Sequence, residues 1–124
     1  MNNYEKVLDF QKKVLKNTIP ARGVQTISAD FEERTTTYIN EEVAELKAAF
    51  EAKDQAEIVD ALIDLTYFAM GAVAQMGVPF NQAFDDVHKA NMTKKKGVKA
   101  ERGLTDDAAK PKTFKAPNHT KYFK

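Results

Sequence analysis

Acidic residues crowd two short stretches of this chain: Glu41, Glu42 and Glu45 in EEVAEL, then Glu57 and Asp60 in EIVD, with Asp64 four residues further on. On a helix that advances about 100° per residue, Glu42 falls inside the apolar arc defined by Phe31, Thr35, Leu46 and Ala49. Glu45 sits one turn along, at the edge of that arc. A carboxylate aimed at a core is costly unless something satisfies it. Glu57, Asp60 and Asp64 recur at i, i+3 and i+7 and share a stripe of the next helix, beside Ala61, Leu65 and Phe68. Folding the two helices back on each other about Lys53 brings residue 45 level with residue 61, and residue 42 level with residue 64. Carboxylates facing one another across a helix pair repel. A divalent cation removes that repulsion, and an all-oxygen ligand set favours Mg²⁺, with Mn²⁺ as its substitute. The competing reading is a solvated acidic face, in which Glu57 serves only as the capping partner of Asp54.

The elements that must position these acids are helices. Apolar residues keep a helical period from Tyr4 to about Lys95, with no alternating strand pattern. The first helix is expected over Tyr4 to Lys16, with Val7, Leu8, Phe10, Val14 and Leu15 apolar. Pro20 and Gly23 mark a loop. Asp30, with Glu33 three residues on, predicts a capping box opening a second helix that runs to about Ala52. Lys53-Asp54 breaks it, and Asp54 with Glu57 can open a third helix that continues to Met76, with Gly77 as a left-handed terminator. Pro79 suits the first turn of a fourth helix ending near Lys95. Beyond it, the Gly- and Pro-broken polar segment 96–124 reads as an extended arm anchored by Phe114 and Phe123. The expected fold is all-α: a four-helix, bundle-like single domain with a C-terminal arm, its helical core spanning about 4–95.

Composition narrows the function. The chain has 124 residues, 43% of them hydrophobic and 30% charged, and a net charge of +1, which gives no global attraction for nucleic acid or an anionic membrane. It has no cysteine, so thiolate metal sites and disulfides are excluded. No apolar run approaches the length of a membrane span, and a cytoplasmic location is the expectation. His119 lies far in sequence from the acids and takes no metal role.

EEVAEL followed by EIVD resembles the E-E-x-x-E … E-x-x-D signature of the MazG-like all-α nucleoside triphosphate pyrophosphohydrolases, relatives of phosphoribosyl-ATP pyrophosphohydrolase. VLDFQKKV resembles their first helix, and DDVHKANMTKKKG their fourth-helix pattern of Asn followed four residues later by Lys. KPKTFKAPN is similar to the tail of small, phage-type members. The resemblance implies that Glu42, Glu45, Glu57 and Asp60 coordinate Mg²⁺ and that Glu41 positions or deprotonates water. It implies that Asn91 and Lys95 hold the nucleotide. Eleven residues separate Glu45 from Glu57, a short gap for that family, which keeps Asp64 as a further ligand or water contact.

The activity so implied is hydrolysis of a nucleoside or deoxynucleoside triphosphate to the monophosphate and pyrophosphate. dGTP and the pyrimidine deoxynucleotides are among the substrates open to it, and the chain would act in the host cytoplasm if phage-encoded. Phe10, Gln11, Tyr38 and Phe114 are base-contact candidates. The width of the apolar surface on the third helix predicts a homodimer or homotetramer, with no nucleic-acid or membrane partner. The opposing class is a non-catalytic helical oligomerisation module with an acidic groove.

Overall fold

The computed structural model describes residues 1–99 and 104–124, the side chains of 96–108 excepted. Four α-helices come first: α1 Asn3–Lys13, α2 Ala29–Glu51, α3 Gln55–Gln75 and α4 Phe80–Asn91. Two strands follow, β1 Lys95–Lys99 and β2 Leu104–Ala109, and then a 3-10 helix, His119–Phe123. Packing divides the chain into two units, one of residues 1–80 with Phe123, the other of 81–122 with Lys124.

In the first unit α2 packs along α3, and α1 packs against α3. α1 opens on a complete capping box: Asn2 Oδ1 accepts from Glu5 N–H, and Glu5 Oε1 accepts from Asn2 N–H. It also stops at Lys13, short of the expected Lys16, and Val14 and Leu15 are exposed rather than core. The cap of α2 is Ser28, whose hydroxyl accepts from Phe31 N–H at 3.0 Å, and not Asp30. Asp30 instead pairs with Arg34 one turn on, at 2.9 Å. Asp54 caps α3 as expected, accepting from Glu57 N–H at 3.1 Å. The α2–α3 turn is closed by Lys53 in the left-handed region, at φ 54°.

Among the described residues of the first unit the buried apolar side chains are few, Val7, Ala49, Ala61, Ala74 and Val78, together with the polar Gln11. Small residues at 49, 61 and 74 let helices approach closely, and most larger apolar side chains remain partly open to solvent. Gly77 ends α3 with φ +74°, as its position predicts. A Cβ there would sit 2.0 Å from Arg22 O, in the loop that Val24 N–H ties to Met76 O at 3.0 Å. Gly77→Ala should therefore destabilise the fold by about 1–3 kcal/mol, the cost of a strained backbone held against a neighbour. Chemical denaturation of the variant and the parent measures it.

The second unit corrects two expectations. α4 stops at Asn91, not near Lys95, and finishes in tight turns in which Thr93 N–H bonds Ala90 O and Lys94 N–H bonds Asn91 O. Lys95 thus begins β1 and is not one helical turn beyond Asn91. Nor is the arm simply extended. β1 pairs antiparallel with β2, Lys95 opposite Ala109 and Gly97 opposite Asp107, with a register shift between Gly97 and Lys99. Residues 100–103 of the expected arm lie outside the described residues. The last part of the arm returns to α4, where Asp86 Oδ2 meets Lys121 Nζ at 2.8 Å and accepts from Tyr122 OH at 2.9 Å. Lys121 holds the Asp86 carboxyl below its ordinary value. Lys94 and Lys110 lie over the Phe114 ring, 5.5 and 5.2 Å from its centre. Among the described residues no single helix is long and apolar enough to cross a membrane.

Candidate active site

The site grows from the α2–α3 pair. Two helices of more than twenty residues joined at Lys53 must run antiparallel, so acids placed symmetrically about the turn meet at one height. Glu42 and Glu45 on α2 and Asp64 on α3 do meet: each offers a carboxylate oxygen, and these oxygens lie within 4.8 Å of one another. Glu45 and Asp64 are exposed and Glu42 is half-buried.

Glu42 is the strained member. Its Oε2 is shut off from water and has no hydrogen-bond partner among the described residues. Burial is the largest cause raising its pKa above the ordinary 4.5, and the charges of Glu45 and Asp64 come next. A hydrogen bond shared with Glu45 and the charge of Asp60 push it the same way. Every force acting on this carboxyl disfavours its charged form. Proteins do not usually leave a buried acceptor unmatched, and a divalent cation among these oxygens would both match it and cancel the repulsion. The donor set is all carboxylate, which fits a hard cation.

The remaining acids are arranged around this cluster unequally. Asp60 is near enough for its charge to bear on Glu42, and with Glu45, Asp54 and Glu57 it lines an open cleft of about 310 Å³. Glu57 is outside the three-carboxylate cluster; its backbone N–H is taken by the Asp54 cap. Glu41 is exposed on α2. Asn91 and Lys95, both exposed, belong to the second unit.

Glu42 and Asp64 also line a cavity of about 500 Å³. Its walls are aromatic: Phe10 meets Tyr67 edge-on at 5.6 Å, and Tyr38 lies 5.2 Å from Phe68. Gln11, Asn17 and Gln75 line it as well. Of these amides only Gln11 stands out in the sequence. Asn17 lies past the end of α1, and Gln75 is 64 residues from Gln11, so no local pattern reveals the group.

The stretch of chain that builds this cluster matches one known family. The model of the phosphoribosyl-ATP pyrophosphohydrolase family matches residues 7–91. The chain belongs to that family. The matched span takes in α2, α3 and α4 whole and ends where α4 ends, so Asn91 lies inside it and Lys95 outside. No curated protein matches the chain. Membership makes the chain a pyrophosphohydrolase in kind, a hydrolase of nucleotide phosphoanhydrides, and fixes the all-α fold of its helical part.

Proposed function

We propose that the chain hydrolyses a nucleoside or deoxynucleoside triphosphate to the monophosphate and pyrophosphate in a Mg²⁺-dependent reaction that controls a nucleotide pool. The observation carrying this reading is the partnerless, water-excluded Oε2 of Glu42 among like-charged neighbours. Glu42, Glu45 and Asp64 would hold the cation, with Asp60 and Glu57 beside them. The ion, when bound, neutralises phosphate charge and lowers the pKa of water. Glu41 is assigned the part of positioning water or taking its proton. The aromatic walls of the cavity would take the base, since stacking on aromatic faces suits any nucleobase. Asn91 and Lys95 are assigned to the nucleotide, Lys95 as a point charge on phosphate. Pyrophosphate release from each canonical NTP and dNTP, with and without Mg²⁺ or Mn²⁺, is the direct test. Metal-dependent release from at least one of them is expected. No release from any would leave the chain as a helical module with an acidic groove.

A second copy of the chain belongs to this reading. Val59, Leu62 and Ile63 follow one another at helical spacing on α3 and are 59%, 46% and 58% exposed, and Phe50 on α2 is 57% exposed. Apolar side chains of this size gain about 1.5–3 kcal/mol each when fully buried, and a stripe of them points to an interface. We expect at least a dimer by light scattering at micromolar concentration. Leu62→Glu, which puts a charge into the stripe, should shift the chain toward monomer, and a parent that is already monomeric would contradict the assignment.

A further inference from the structure

The amides lining the aromatic cavity are not equally spent. Gln11 is only 6% exposed, and its Oε1 accepts from Asn17 Nδ2 at 2.8 Å and from Gln75 Nε2 at 2.9 Å. Two donors fill the two lone pairs of that oxygen. Gln11 Nε2, by contrast, donates to no acceptor among the described residues, and the carbonyl oxygens of Asn17 and Gln75 accept nothing there. Gly71 lies against the nitrogen side of the carboxamide: a Cβ at that position would lie 2.6 Å from Gln11 Nε2 and 3.5 Å from its Cδ. The carboxamide can hold this pose because residue 71 has no side chain. These donor and acceptor atoms are not shut off from water, so the edge of a planar ligand in the cavity can meet them in place of solvent.

We propose that Gln11, Asn17 and Gln75 form an edge reader for a nucleobase, held in register by Gly71. Gln11 Nε2 donates to an acceptor on the base edge, a carbonyl oxygen or ring nitrogen. The carbonyl of Asn17 or Gln75 accepts from the neighbouring ring N–H or amino group. Every nucleobase edge sets an acceptor beside a donor, whereas ribose and phosphate offer no such planar pair. The aromatic walls, Phe10 with Tyr67 and Tyr38 with Phe68, would take the ring faces. The three amides thus act in binding and specificity, and Gly71 is a positioning residue. The assignment rests on the reading that this cavity takes a nucleotide, and it deepens that reading by naming the groups that see the base.

Gln11→Glu tests it with little change of shape. One carboxylate oxygen still accepts from Asn17 and Gln75, while the other replaces the donor with an acceptor. The probes are the monophosphates of the four canonical bases and base-free ribose 5-phosphate, titrated by NMR into the metal-free protein. At least one nucleotide should bind more tightly than ribose 5-phosphate. Gln11→Glu should weaken that nucleotide tenfold or more and leave ribose 5-phosphate within twofold. Gly71→Ala, whose methyl would crowd Gln11 Nε2 and shift the carboxamide, should reduce the nucleotide's advantage in the same direction. Equal loss for nucleotide and ribose 5-phosphate would mean a merely structural amide cluster and overturn the proposal. So would an undiminished advantage in both variants, or no advantage in the parent. The outcome is separable from the hydrolytic reading, because base-dependent binding that Gln11→Glu abolishes would stand even if no triphosphate were cleaved.

Discussion

Glu42→Gln should abolish metal-dependent hydrolysis, by at least about 100-fold, the scale on which loss of even a supporting group disturbs a metal site, while making the metal-free protein more stable at neutral pH. The second half of that expectation separates a ligand from an ordinary buried acid. The folded-state pKa of Glu42 is raised, so folding favours its protonated form. Its contribution to stability is then fully present below the unfolded value, near 4.5, and is lost as pH rises through the raised folded value. Thermal melts of the metal-free parent should fall across that window, and added Mg²⁺ should restore more stability above it than below it. In Glu42→Gln the charge is absent at every pH. Its melting temperature should exceed that of the metal-free parent by a few degrees at neutral pH, with a flatter pH profile and a much smaller response to Mg²⁺. A variant that melts lower than the parent and keeps its hydrolysis would show Glu42 to be a structural acid.

The reason the place of Glu42 among the clustered acids was legible in the sequence is geometric. A regular helix fixes the angle between residue 42 and its apolar neighbours, and a sharp antiparallel turn fixes which residue of the next helix comes level with it. Both quantities follow from helical pitch and rise, with no knowledge of side-chain packing. Asp64 came within reach of Glu42 and Glu45 for the same reason. The cap of α2 was less legible, because Ser28 and Asp30 are both good capping residues two positions apart. The backbone direction of the preceding loop, tied to the end of α3 through Val24 and Met76, is set by contacts remote in sequence.

The end of α4 was hidden for a different reason. Met92, Thr93 and the lysines after them contain no glycine or proline to stop a helix, so the periodic pattern ran on to Lys95. The chain leaves the helix through tight turns at Thr93 and Lys94 and enters β1, which pairs with β2; most residues of the two strands, lysine, glycine, aspartate and alanine, carry little strand preference of their own. The amide group at Gln11 was equally invisible as a group. Buried polar networks draw their members from wherever the fold brings them, and here that meant α1, the loop after it and the far end of α3.

Asp64→Asn and Glu57→Gln should part company in activity, since the structure gives these two acids different neighbours. Asp64 shares a 4.8 Å cluster with Glu42 and Glu45, and its charge acts on Glu42. Glu57 lies at the first turn of α3, where an acid is favoured by the helix dipole whether or not any metal is present. Removing Asp64's charge should cost about 100-fold or more in metal-dependent turnover and weaken Mg²⁺ binding to the free protein. It should also relieve part of the strain on Glu42, so metal-free Asp64→Asn should melt no lower than the parent at neutral pH. Glu57→Gln should keep turnover within about tenfold, and its stability should change by no more than about 1 kcal/mol, the usual worth of a charge at a helix start. Both are read from pyrophosphate release over a range of Mg²⁺ concentrations, together with melts in the absence of metal. If Glu57→Gln proves as damaging as Asp64→Asn, the cation must be shared between the three-carboxylate cluster and the adjoining cleft that Glu45, Glu57 and Asp60 line together. If Asp64→Asn alone is silent, the cluster does not bind the cation that the reaction uses.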